Sequence, residues 1–285
     1  MGIGIALAGG GIRGIAHAGV LRALEDNKIE VEAIGGTSAG SIVAALYAMG
    51  YKPYYIYVLF KKYAQEIINI RNTHIINGIG SLVLNKKIGF SGINDGTSLE
   101  KIYNELALKK GIKLIADIKM PIVIPAVDIS EAKEYIFTNC ADRNNLKDKY
   151  ITEIPIGRAV RASSSFPAVF CPCDFEEHKF LDGGALNNIP VIEVKKQGID
   201  KVLAVNFKAD DIEDTSNYMD IAMRAIDLMG NKISEENLKQ SDYILTIGTD
   251  RMGLLDVKKL DSCYQYGYVE TVNQIDKIKE IIYEK

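Results

Sequence analysis

Apolar runs alternate with polar, turn-forming stretches along most of this chain, and their period changes from run to run. Ile3 to Ala8 is continuously apolar and reads as a buried strand. Ile15 to Leu24 places Ile15, Val20, Leu21 and Leu24 at helical spacing. Ile29 to Ile34 predicts a second strand, and Ala39 to Met49, apolar on most faces and followed by Gly50, predicts a second helix. The order strand, turn, helix, strand, turn, helix implies a parallel pair with crossover helices. A further helix is expected after Pro53, then helices over Thr97 to Leu108 and Ile156 to Ala162, and strands over Ile122 to Val127 and Tyr135 to Thr138. Val169 to Phe180 reads as a hairpin. Lys201 to Asn206 and Tyr243 to Ile247 read as late strands, with helices over Asp220 to Lys239 and from about Lys259 onward. The stretch from about Ile67 to Gly92 fits neither period. It mixes Gly78, Gly80, Gly89 and Gly92 with Ile75, Ile79, Leu82, Leu84 and Phe90, and is expected to line or cover a binding pocket and touch a membrane, or to form a helix pair on the core.

The chain has 285 residues, 47% of them hydrophobic and 25% charged, enough for one large α/β domain. Residues 1–285 are expected to form a single domain, with a motif-bearing core over about 3–190 that 191–285 completes. The net charge of −3, without a polybasic tract, argues against a nucleic-acid partner. Cys171 and Cys173 are the only close pair among four cysteines, and a lone C-x-C is a poor zinc site, so no metal is expected. No leader pattern opens the chain and no run reaches the length of a membrane span, so a cytoplasmic, reducing location is expected, with peripheral contact at a membrane.

Two turns carry the candidate chemistry. Gly36-Thr37-Ser38-Ala39-Gly40 is a G-x-S-x-G between an apolar strand and an apolar helix. That placement puts a serine on a tight, strained turn with its hydroxyl exposed and a helix N-terminus aimed at it. An N-capping serine in a glycine-rich turn fits the same five residues. Gly9-Gly10-Gly11-Ile12-Arg13-Gly14 offers backbone N–H groups for an oxyanion, but it also fits the G-x-G-x-x-G of a dinucleotide fold. The dinucleotide reading wants an acid at the far end of the second strand. Glu30 and Glu32 lie at its start, which favours the oxyanion reading and no cofactor.

The serine needs a base, and the chain has three histidines. His17 reads as a packed helix residue, His74 falls in the irregular stretch, and His178 reads as a solvated hairpin tip. The usual order serine, acid, histidine is disfavoured, because no histidine follows His178 and the last third of the chain has none. Asp182, after Phe180-Leu181 and before Gly183-Gly184, is the remaining candidate. Partial desolvation would make it a competent base, and a tight turn is its bland alternative. Arg13, Arg158 and Arg161 read as solvated or surface-paired side chains that face, at most, an anionic substrate.

The glycine-rich turn, G-x-S-x-G, Arg161-Ala162-Ser163-Ser164-Ser165-Phe166-Pro167 and Asp182-Gly183-Gly184, in that order, resemble the patatin-like phospholipase family. The resemblance covers about the first two thirds of the chain. It implies a three-layer αβα sandwich with a mostly parallel central sheet. It also implies a dyad of Ser38 and Asp182 without histidine, and an oxyanion hole from Gly9, Gly10 and Gly11, with Gly14, Gly36, Gly40, Gly183 and Gly184 shaping the turns. The implied activity is hydrolysis of a lipid acyl ester, with the lipid as partner. Some members carry an acid just before the three glycines, where this chain has Ala8. A non-catalytic lipid-binding protein on the same fold and an acyltransferase stay open, as does the oligomeric state.

Overall fold

The computed structural model describes residues 2–65, 95–140, 149–167, 169–208, 218–249 and 257–283. The irregular stretch 67–92, with His74, lies outside them.

The wholly buried strand β1 (Ile3–Leu7) runs through a three-residue glycine turn and a short 3-10 turn into α1 (Ile15–Asp26). Strand β2 (Val31–Gly36) then leads into α2 (Ala39–Ala48), and a helix over 53–65 (α3) follows. Next come α4 (Thr97–Leu108), β3 (Ile122–Asp128), β4 (Lys133–Thr138), β5 (Tyr150–Ile151) and α5 (Ile156–Ser163). The hairpin β6 (Cys173–Phe175) and β7 (His178–Asp182) starts four residues later than the apolar pattern suggests. The remainder is α6 (Val191–Lys195), β8 (Val202–Phe207), α7 (Tyr218–Ile233), α8 (Glu235–Leu238), β9 (Tyr243–Ile247), α9 (Leu260–Asn273) and α10 (Ile275–Tyr283).

The main sheet runs β5-β4-β3-β2-β1-β8-β9, and β1 pairs in parallel with both β2 and β8. The late strands β8 and β9 therefore extend the same sheet that the first fifty residues begin. One set of helices packs as α4 on α5, α5 on α2, α2 on α1 and α1 on α9. A second set is α6, α7 and α8. Helix α6 lies on β1, β2 and β8, and the two sets flank a mixed, mostly parallel sheet. Strands with apolar residues on both faces follow from that cover.

One topological detail positions the site. Strand β2 pairs only with the start of β3, Ile34 opposite Ile122 and Gly35 opposite Val123. Strand β7 pairs antiparallel with the end of β3, with Asp182 opposite Ala126. Strand β4 occupies the other edge of β3 throughout, so β2 and β7 share one lane. Asp182 thus stands three register positions beyond Gly35, about 10 Å along the lane, and Ser38 follows Gly35 by three residues. The chain leaves the lane at the serine turn, and the end of β7 fills it.

Candidate active site

Ser38 has φ 53° and ψ −122°, the left-handed side of the map for a residue with a Cβ. Such a conformation costs on the order of 1–3 kcal/mol and persists only where the surroundings hold it. Here they do. The Ser38 N–H donates to Ser163 Oγ at 3.1 Å, and its carbonyl accepts from Ser41 Oγ at 2.6 Å and Ser164 Oγ at 3.3 Å. Close packing sets the flanking glycines. A Cβ on Gly36 would meet the Gly40 carbonyl, and one on Gly40 would meet the Leu7 carbonyl. The strand-to-helix turn closes only because both lack one.

The glycine turn lies against the serine. A Cβ on Gly9 would stand 3.2 Å from Ser38 Cβ and would collide with Asn188 Oδ1. Gly14 packs on Ala39, and Gly11 has φ 59°. The three N–H groups are not equivalent. Gly9 N–H donates to the Asn188 carbonyl at 3.1 Å. Among the described residues no acceptor takes the Gly10, Gly11 or Ala39 N–H. The Ala39 donor sits at the N-terminus of α2, where helix geometry leaves N–H groups unpaired.

Asp182 is 3% exposed, and its Oδ1 accepts from Gly184 N–H at 2.8 Å, which orients the carboxylate. Its own N–H donates to the Ser165 carbonyl at 3.2 Å. Ser163 and Ser164 hold the backbone of Ser38 while Ser165 holds that of Asp182, so three consecutive residues clamp both. Gly183 lies against Thr37, its absent Cβ 3.0 Å from Thr37 Cγ2.

The arginines depart from the solvated reading. Arg161 is 3% exposed and donates to the Asp95 carbonyl (2.7 Å), Ser165 Oγ (2.6 Å) and the Cys171 carbonyl (2.6 Å). It is a buried strut for the serine clamp. Arg13 is 4% exposed, over the Phe207 ring, with Nε donating to the Gly10 carbonyl at 3.1 Å. Arg158 forms the expected ion pair, to Glu100 at 2.9 Å.

The two described histidines have other tasks. His17 is fully buried and donates from Nε2 to the Ala8 carbonyl at 2.8 Å, supporting the glycine turn from below. Burial holds its pKa down to about 4, outweighing the opposing effect of that hydrogen bond, so the ring is neutral. His178 is no solvated tip: its Nδ1 donates to Asp128 Oδ2 at 2.8 Å.

Two residues escaped the sequence reading altogether. The Asn187 carbonyl accepts from Thr37 Oγ1 at 2.8 Å. Asn188 accepts from Gly9, sits beside Gly184, and is held by Ser234 Oγ at 2.7 Å and Asn231 Oδ1 at 2.7 Å. This pair joins all three glycine motifs. Its only signal in the sequence is its place just after Asp182-Gly183-Gly184, because its partners come from far along the chain.

A strained serine on a strand-to-helix turn, a carboxylate at the end of the strand that continues the same lane and open N–H donors form a constellation suited to acyl transfer without a histidine. The Patatin family model, described as patatin-like phospholipase, matches residues 5–195, and the chain belongs to that family. It is 28% identical over 292 residues to lysophospholipase NTE1 of Candida albicans, covering 93% of this chain and 19% of that protein. It is 30% identical over 220 residues to patatin-like phospholipase domain-containing protein 7 of Rattus norvegicus, covering 76% of this chain and 14% of that protein. The chain thus spans less than a fifth of these relatives' length. In fold it is similar to VipD from Legionella pneumophila, with a TM-score of 0.54 at 14% identity over 97% of this chain and 67% of that one. The type III effector protein ExoU gives a TM-score of 0.52 at 16% identity, over 97% and 53%. Among the described residues no helix is long and apolar enough to cross a membrane.

Proposed function

We propose that this chain hydrolyses acyl esters of lipids, of phospholipase A or lysophospholipase type, as one catalytic unit with Ser38 as nucleophile and Asp182 as base. The observation that carries the reading is the clamp in which Ser163 to Ser165 hold both backbones beside the glycine turn. Membership of the family and the lysophospholipase relatives support the substrate class.

The reaction divides into two steps. Asp182 accepts the Ser38 proton as Oγ attacks the ester carbonyl. The Gly10, Gly11 and Ala39 N–H groups receive the developing oxyanion. Collapse breaks the ester bond, and the leaving alcohol takes the proton from Asp182. Water then attacks the acyl-enzyme, gives its proton to Asp182, and the fatty acid departs as Ser38 regains its hydrogen.

Ser38→Ala and Asp182→Asn should each lower hydrolysis of a p-nitrophenyl acyl ester by at least about a thousandfold. Circular dichroism and the urea midpoint should stay near wild type. A fluorophosphonate probe should label wild type and not Ser38→Ala. Near-normal turnover in either variant removes the dyad, and an unlabelled, inactive wild type leaves a lipid-binding protein instead. Product mass spectrometry on a phospholipid and lysophospholipid panel identifies the ester cleaved.

A further inference from the structure

The C-terminal half of helix α7 touches the candidate site: a Cβ on Gly230 would meet the Gly184 carbonyl, Asn231 bonds Asn188, and Ser234, just past the helix, bonds the Asn188 N–H. Several described positions of the same helix leave apolar side chains uncovered, with Lys232 exposed beside them. Ile221, Leu228, Met229 and Ile233 are between 45% and 57% exposed, and Ala225 is exposed with them. Positions 221, 225, 228, 229 and 233 follow the 3.6-residue period and make one continuous stripe. Leu186, exposed at the end of the turn on which α7 packs, lies in the segment that follows Asp182. Ordinary surface helices place such a stripe against the core, and exposed apolar stripes mark interaction surfaces.

We infer that the outer face of α7 docks on a lipid–water interface, which sets the candidate active site beside its substrate; this rests on the lipid-ester reading above. Two observations select that occupant over a second copy of the chain. The stripe is about 20 Å long and about 10 Å wide, on the order of 200 Å², whereas a stable protein interface needs about 800 Å² from each partner. Shallow insertion into a headgroup boundary needs only such a strip. The same helix that carries the stripe also holds, on its inner face, the Gly184 and Asn188 contacts of the site, so docking is continuous with the catalytic machinery. The flanking charges are paired, Lys232 with Glu235 at 2.7 Å and Lys239 with Glu236 at 2.6 Å, so attraction rests on apolar burial and not on anionic lipid.

Flotation with vesicles of ether-linked phosphatidylcholine, which an ester hydrolase does not cleave, tests the docking apart from catalysis. Wild type should float. The triple variant Leu228→Gln, Met229→Gln, Ile233→Gln should bind at least about tenfold more weakly while its Ser38 is still labelled by the fluorophosphonate. Ala225→Leu, which adds apolar surface at an exposed position, should tighten binding about threefold and decides the matter if the triple variant misfolds. Unchanged flotation of the variants, no flotation of wild type, or flotation only with phosphatidylglycerol present overturns the inference. So does a concentration-dependent dimer, seen by sedimentation, that the triple substitution abolishes. Wild type that floats yet hydrolyses no ester keeps the docking surface and removes the hydrolase reading.

Discussion

Lowering the pH from 7.5 to 5 protonates an imidazole in the unfolded chain but leaves His17 neutral in the folded one. Its folded pKa is about 4 against an ordinary 6.5, because the ring is fully enclosed and carries no charge-compensating partner in the hydrogen bond to Ala8. The unfolded state therefore binds more protons throughout this window, and stability falls with pH. Well above pH 6.5 neither state is charged and the penalty vanishes. Linkage gives a loss of about 2 kcal/mol at pH 5 and about 3 kcal/mol at pH 4 relative to pH 7.5. The assay is urea unfolding of wild type and His17→Gln at pH 7.5, 6 and 5. The glutamine amide still donates to a carbonyl but does not titrate, and the carboxylates common to both proteins cancel in the comparison. Wild type should lose about 2 kcal/mol more than the variant between pH 7.5 and 5. Parallel stability curves would refute the claim that His17 is held neutral beneath the glycine turn.

Arg161→Met should destabilise by about 3 kcal/mol in urea unfolding, since it strands the Asp95 and Cys171 carbonyls and leaves Ser165 Oγ with only its bond to the backbone carbonyl of residue 161. It should also slow labelling of Ser38, because Ser165 holds Asp182. Arg161→Lys, with one donor group in place of a planar fork, should fall between. Gly40→Ala should cost roughly 1–3 kcal/mol by driving a methyl into the Leu7 and Ala8 carbonyls, and should abolish fluorophosphonate labelling. A labelled, stable Gly40→Ala protein would show that the turn tolerates a wider strand–helix spacing.

Much of the fold was legible because its elements are locally coded. The apolar runs at Ile3 and Ile29 and the helical spacing from Ile15 and Ala39 match β1, β2, α1 and α2 within a few residues. The hairpin began late because Val169 sits in a turn and Phe170 makes only an isolated bridge before the paired run starts at Cys173. The helix read over Asp220 to Lys239 divides at Ser234, whose hydroxyl serves Asn188 instead of the helix. Arg13, Arg161 and His178 were misread as solvated for one reason. Charge or polarity predicts exposure on average, and buried polar groups with specific partners are the exceptions that tertiary contacts create.

Taken alone, the sequence determined the kind of turn at Ser38 and the glycines around it, because a tight strand-to-helix passage is a local matter of φ, ψ and missing Cβ atoms. Tertiary structure alone decided that Asp182 enters the lane β2 vacates, that Gly9 turns its N–H to Asn188, and that Ser163 to Ser165 grip both ends. Those outcomes depend on sheet order and on hydrogen bonds that from Gly9 and Ser38 reach residues more than a hundred positions away, where no local pattern records the partner.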